Sequence, residues 1–155
     1  MTGFLLTVHV LAAILTVGPV AVTTSMFPPA LRAALADPGD GLKAGTVTVL
    51  VRITRVYSVI AVIVPVFGVA TAASLGVLTD VWLIVTMILT ALAAALLVGV
   101  ILPGQSRLLD ALVRQDATAE RGSRRLAMHA GIFNLLWAVV VVLMIYRPGS
   151  TTGVS

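Results

Sequence analysis

The chain reads as an all-α polytopic membrane protein: a four-transmembrane-helix bundle with both ends on the non-cytoplasmic side. Three observations predict this. Of 155 residues, 59% are hydrophobic and 10% charged, against roughly 25% charged in an ordinary globular domain. Four uncharged apolar stretches each reach the about 20 residues that a hydrocarbon core of roughly 30 Å requires. Lys and Arg gather in alternate connections. A soluble domain of this length has too much surface to cover with so few charges, so lipid is its natural solvent and 1–155 forms a single membrane domain.

The spans fall in order at about 3–31, 46–78, 80–104 and 124–146. The first carries no charge apart from a proton that His9 can take up, and the stretches 56–78, 81–104 and 126–146 carry none. Many of their residues are valine or threonine, which favour strands. No backbone group goes unpaired in lipid, however, so each span is expected to be helical. The connection 32–45 contains the turn-forming run Ala36-Asp37-Pro38-Gly39-Asp40-Gly41. In the connection 105–123, Gln105 to Ala119 reads as a helical extension, with Asp110 and Arg114 spaced to meet at i,i+4. Gly122 with Ser123 reads as the break before span four.

Ala34-Leu35-Ala36 resembles a signal-peptide cleavage site. A signal has its positive charge first and an apolar stretch of about 7–15 residues. Here the stretch is longer and the charge follows it, so span one is expected to be retained.

Direction follows from the basic residues. The first connection and its flanks hold Arg32, Lys43, Arg52 and Arg55, and the third holds Arg107, Arg114, Arg121, Arg124 and Arg125. The second connection, at Thr79 and Asp80, has none, and the tail has Arg147 alone. The positive-inside rule makes 32–45 and 105–123 cytoplasmic and places both termini outside, in a multi-pass protein of the cell (inner) membrane. The net charge of +4 does not indicate nucleic acid, because the basic residues sit at span ends and form no separate basic face. The absence of cysteine excludes disulfides, thiolate metal sites and cysteine nucleophiles.

Helices in lipid associate through close backbone approach and a few polar contacts. Gly68, Ala72 and Gly76 form a small-residue stripe on span two, and Ala91, Ala95 and Gly99 another on span three. A short outer turn joins these spans, so the stripes are expected to face each other; a homodimer face is the alternative. Pro19, Pro65 and Pro103 are expected to interrupt spans one, two and three. Trp82 and Tyr146 fit the outer aromatic belt.

Phosphate loops, nucleophile elbows and HExxH zinc motifs are missing from the sequence. The acidic residues all lie in connections or at span ends, which counts against a proton relay. The two histidines remain. His9 lies inside span one, where an ionisable residue is a functional candidate by default; the competing reading is a neutral His bonded to a neighbouring helix. His129 lies near the cytoplasmic start of span four and reads as interfacial. His9 is expected about 8–10 Å below the outer surface and His129 about 5 Å above the inner one, roughly 15 Å apart in height, which disfavours a bis-His haem clamp. Thr86 and Met87 of span three share the depth of His9, with Thr71 and Ser74 of span two close to it. Methionine pairs with histidine at some haems, and it also fills gaps between helices. Arg32, Arg52, Arg55 and Arg107, with Tyr57, cluster at the inner helix ends, where arginines hold anionic lipid headgroups or an acidic ligand.

His9-Val10-Leu11-Ala12-Ala13 followed by Phe27 to Arg32, the basic-then-aromatic Arg52-Ile53-Thr54-Arg55-Val56-Tyr57, Trp82-Leu83, and Arg124-Arg125-Leu126 with Arg147-Pro148 together resemble a group of small bacterial four-helix membrane proteins. That group includes the haem-containing protoporphyrinogen oxidases of the HemJ type, the copper-resistance D domain and several uncharacterised branches. In the oxidases a helix-one His is implicated in haem binding and a helix-three Lys also matters. The resemblance implies that His9 is the counterpart of that His. Thr86 stands where the Lys would be, a departure that speaks against porphyrinogen oxidation and leaves a haem or metal role.

Two readings follow. In one, His9 is the axial ligand of a haem b iron, with Thr86 and Met87 beside it, in a redox or haem-handling protein. In the other, the chain is a non-enzymatic subunit or assembly factor of a larger membrane complex, and His9 is an interhelical polar contact. A copper carrier stands behind both, because copper(I) prefers soft ligands and the chain offers five methionines and no cysteine. Sequence leaves homo-oligomer, larger complex and substrate open.

Overall fold

A computed structural model describes residues 2–116 and 118–149. It is all-helical over those residues, with α1 at Thr2–Ala36, α2 at Gly41–Ile60, α3 at Ile63–Leu75 and α4 at Val81–Leu96. A π-helical segment, Leu97–Ile101, then leads into α5 at Leu102–Val113, and α6 follows at Ala119–Tyr146. Among the described residues, four continuous stretches are long and apolar enough to cross a membrane: Thr2–Ala36, Gly41–Leu75, Val81–Val113 and Ala119–Tyr146. The protein is a multi-pass helical bundle. Its outward face carries large apolar side chains such as Phe4, Leu15, Val59, Val98 and Leu135, a surface that water would not tolerate on this scale but lipid does.

Helix ends follow local chemistry. The Asp40 carboxylate accepts from the Leu42 and Lys43 amides at 2.9 and 3.2 Å and starts α2, satisfying donors that have no partner within the helix. These two bonds, the one from Lys43 foremost, hold the Asp40 carboxyl below its ordinary value of 3.8. Gly76, at φ 70°, closes α3 in the left-handed conformation that suits glycine. Asp116, in the turn after α5, is likewise held low by the Thr118 amide.

The prolines act unevenly. Span two breaks at Ala61 and Val62, four residues before Pro65. Pro65 has no N–H for the Ala61 carbonyl, which accepts instead from Val64 at 3.0 Å, a tighter turn. Pro103 likewise cannot serve the Gly99 carbonyl, and the turn before it widens into the π segment, where Leu102 bonds the Leu97 carbonyl. The expectation for Pro19 fails: α1 runs through Pro19, Pro28 and Pro29 without interruption. Neighbouring helices pack that stretch from several sides, which holds a proline-containing helix together.

Span one is the central element. It packs along both α2 and α3 and against α6, while α4 packs on α6, and α5 closes one end of the bundle against α2 and α6. The order around the bundle is therefore span two, one, four, three. The two small-residue stripes do not face each other. Gly68 packs against span one, whereas Ala91, Ala95 and Gly99 lie on the outward surface, with nothing near a Cβ at Gly99. Buried seam residues of α1 recur at Thr16, Val20, Thr23, Phe27, Leu31 and Ala34, the three-to-four spacing of one helical face. Of these, Val20, Phe27, Leu31 and Ala34 join Val47, Val51, Ile101, Leu126 and Phe133 in the main core.

Gly122 and Ser123 form no break: both lie inside α6, and the turn that follows α5 begins at Arg114. A Cβ on Gly122 would come within 2.5 Å of the Leu108 side chain, so this glycine serves close approach of α5 and α6. Arg114 ends α5 as its cap, and the expected Asp110–Arg114 pair is absent among the described residues. The ion pairs found there join Lys43 to Asp37 at 2.9 Å and to Asp40 at 3.3 Å.

Candidate functional site

His9 lies in the seam between α1 and α3, 7% exposed. Its Nδ1 is 2.9 Å from the Val64 carbonyl oxygen. A carbonyl only accepts, so Nδ1 carries a proton and donates; in a neutral ring the lone pair then lies on Nε2. Val64 immediately precedes Pro65 and donates into the tightened turn at Ala61. In that distorted stretch a carbonyl tilts toward a side-chain donor from outside the helix more readily than in a regular ladder. Pro65 thus helps to prepare the acceptor for His9. Gly68, one turn further on, provides the room: a Cβ there would lie 2.9 Å from Cε1 and 3.3 Å from Nδ1 of the ring. The imidazole therefore rests edge-on over bare backbone.

The other residues grouped with His9 by depth do not converge on it. Thr86 is buried at 1%, but its hydroxyl donates to the Trp82 carbonyl of its own helix at 2.7 Å. Met87 is 44% exposed on the outward face of α4. Thr71 is buried and bonds the Phe67 carbonyl at 2.7 Å, while Ser74 is exposed and bonds Thr71. His129 is half-buried near the opposite end of the bundle. Among the described residues, no group of three or more His, Cys, Asp or Glu side chains stands close enough to hold a metal ion. Among the described residues neither Met87 nor His129 stands opposite His9, so these side chains do not fit a haem clamped from both sides.

The four arginines expected at the inner helix ends separate into two sets. Arg52 and Arg55 line a groove of about 510 Å³ between α2 and α5, together with Ser106 and Asp110. Arg55 Nη2 donates to Ser106 Oγ at 3.1 Å. Arg32 and Arg107 are exposed and lie outside that groove. Trp82 is not an open belt residue. It is 7% exposed, packs with Ala72 and Leu83, donates to Asp80 at 3.0 Å and lies under the Arg147 guanidinium at 5.6 Å. Tyr146, 59% exposed, faces outward as a belt residue would.

Sequence reasoning missed a buried polar seam. Thr54 of α2 meets Thr23 of α1 at 2.9 Å, hydroxyl to hydroxyl, and Ser123 of α6 donates to the Pro28 carbonyl at 3.2 Å. Gln105 is fully buried, and neither end of its amide finds a protein partner. Its position at the end of an uncharged run made it look like the start of a solvated extension. The spacing of the α1 threonines at 16, 23 and 24 was the available signal for the seam. No family model matches this chain, and no curated protein or solved structure is significantly similar to it.

Proposed function

We propose that this chain is a non-enzymatic subunit or assembly factor of a larger membrane complex, in which His9 fastens span one to span two. The observation that carries the reading is the bond from His9 Nδ1 to the Val64 carbonyl, made over Gly68. It uses the imidazole as an interhelical contact, and the neighbouring Thr86 and Met87 side chains are directed elsewhere. The distribution of arginines supports cytoplasmic placement of the turns at 37–40 and 114–116, with both ends outside a bacterial inner membrane. Gentle detergent extraction tests the reading. The chain is expected to co-purify with a larger complex, and His9→Ala is expected to weaken the bundle without removing a chromophore. A chain that migrates alone from native membranes and loses a Soret band on His9→Ala would refute it.

A second reading is favoured by one specific feature. With its proton on Nδ1, His9 offers Nε2 as a ligand, and a carbonyl holding the far nitrogen is how metal-binding histidines are oriented. In this reading His9 is the protein ligand of a haem b, which would supply redox chemistry when bound, in line with the resemblance to haem-containing four-helix proteins. Absorption spectra of the purified chain, oxidised and reduced, before and after haem addition, test it: no Soret band under any of these conditions rejects the haem role.

A further inference from the structure

We propose that the groove between α2 and α5 binds the phosphate of an anionic phospholipid. Arg52 and Arg55 stand one turn apart on α2, and Ser106 and Asp110 one turn apart on α5 face them across the groove. Val56 and Leu109 give it an apolar wall. Arg55 spends one donor on Ser106 at 3.1 Å. A guanidinium carries five N–H donors in a planar fork suited to phosphate oxygens, so the remaining edge and the whole of Arg52 stay available.

Height selects a lipid over a free anion. From Arg55 to Leu75, where span two ends, runs about 30 Å of helix, the thickness of a hydrocarbon core. If that stretch fills the core, Arg55 stands at the headgroup boundary and Arg52 one turn into the headgroup layer. On the hydrocarbon side of Arg55 the wall continues into Val56 and Val59, 47% and 70% exposed, against which an acyl chain lies. Spans two and three touch again at the outer turn, where Ala72 meets Trp82 and Leu83. Two guanidiniums and one carboxylate leave the groove with one net positive charge, which matches a phosphodiester. Asp110 opposes the anion and sets an upper limit on the affinity.

The test uses the full chain, delipidated in neutral detergent so that membrane orientation plays no part. Native mass spectrometry follows retention of phosphatidylglycerol, phosphatidylcholine and inorganic phosphate, each added separately. Phosphatidylglycerol is expected to be retained in preference to phosphatidylcholine. Arg52→Gln with Arg55→Gln is expected to weaken that retention by on the order of tenfold, from the usual contribution of each basic residue near an anionic surface. Asp110→Asn is expected to strengthen it severalfold. Equal retention of the two lipids overturns the proposal, as does a folded double variant that retains phosphatidylglycerol unchanged. Binding of inorganic phosphate as strong as that of the lipid overturns the lipid as occupant. Should the double variant fail to fold, Asp110→Asn decides alone, and unchanged retention there overturns the site.

Discussion

The contact between His9 and Gly68 is a place where one methyl group should matter. A Cβ at position 68 would lie 2.9 Å from His9 Cε1, closer than carbon atoms pack, and the ring is held by its bond to Val64. Gly68→Ala should therefore displace the imidazole and destabilise the bundle by about 1–3 kcal/mol, the usual cost of overpacking. Reversible unfolding in mixed micelles would measure it. The same substitution in a His9→Ala background should cost little, because the obstructing ring is gone; a coupling of about 0.5–3 kcal/mol is expected for residues in direct contact. If the two costs simply add, His9 does not rest on Gly68. His9→Ala alone removes an interhelical hydrogen bond, which in membrane bundles is worth about 0.6 kcal/mol and at most about 1.7 kcal/mol. A much larger loss would point to a bound group that the ring also holds.

At the scale of elements, the spans were legible in the sequence because backbone pairing in lipid leaves no alternative to helix over a long uncharged run. Helix partners were not. Adjacency in the chain suggested that spans two and three face each other through small residues, yet span one lies between two and four, and the stripe of span three lies on the outward surface. Gly122 looked like a terminator and is instead a point of close approach to Leu108, a distinction that depends on a neighbour about 14 residues away. The candidate site was half legible: His9 stood out as the ionisable residue within a span, but its partner is a backbone carbonyl beside a proline-induced break, which no side-chain pattern announces. That break gives a prediction. Pro65→Ala restores the missing N–H, so the Ala61 carbonyl should regain a regular helical bond and α2 and α3 should fuse. Slower amide hydrogen exchange across residues 61–65, with a weakened His9 contact, is expected; unchanged exchange would mean that the break has another cause. The start of α2 gives a second. The Asp40 carboxyl is held below its ordinary value by the amides it caps, so the cap stabilises the helix at neutral pH and is lost as pH falls through that lowered value. The Leu42 and Lys43 amide resonances should shift together in that acid range. Asp40→Asn, which caps without titrating, should remove the shift.

For the whole molecule the governing quantity is where charge stops and hydrocarbon begins. In all four spans the uncharged stretch ends at an arginine on the same side of the bundle: Arg32, Arg55, Arg107 and Arg125. Ser123 bonded to Pro28 and Arg55 bonded to Ser106 tie those ends into one layer. The opposite end closes differently, with Arg147 over Trp82 and Trp82 on Asp80, so that its one arginine is engaged with the neighbouring span. The positive-inside rule predicts from this asymmetry that the end bearing the four arginines faces the cytoplasm. The chain has no cysteine, so single cysteines report position without background. Cysteine at Asp116, in the turn after α5, should stay unlabelled by an impermeant maleimide applied to intact cells and react once the membrane is opened. Cysteine at Thr79, in the turn before α4, should react in both. If the pattern is reversed, the arginine-rich layer faces outward and both chain ends lie in the cytosol. The boundary argument for Arg55 would survive that reversal, since it depends on depth alone, but the lipid facing the groove would then belong to the other leaflet.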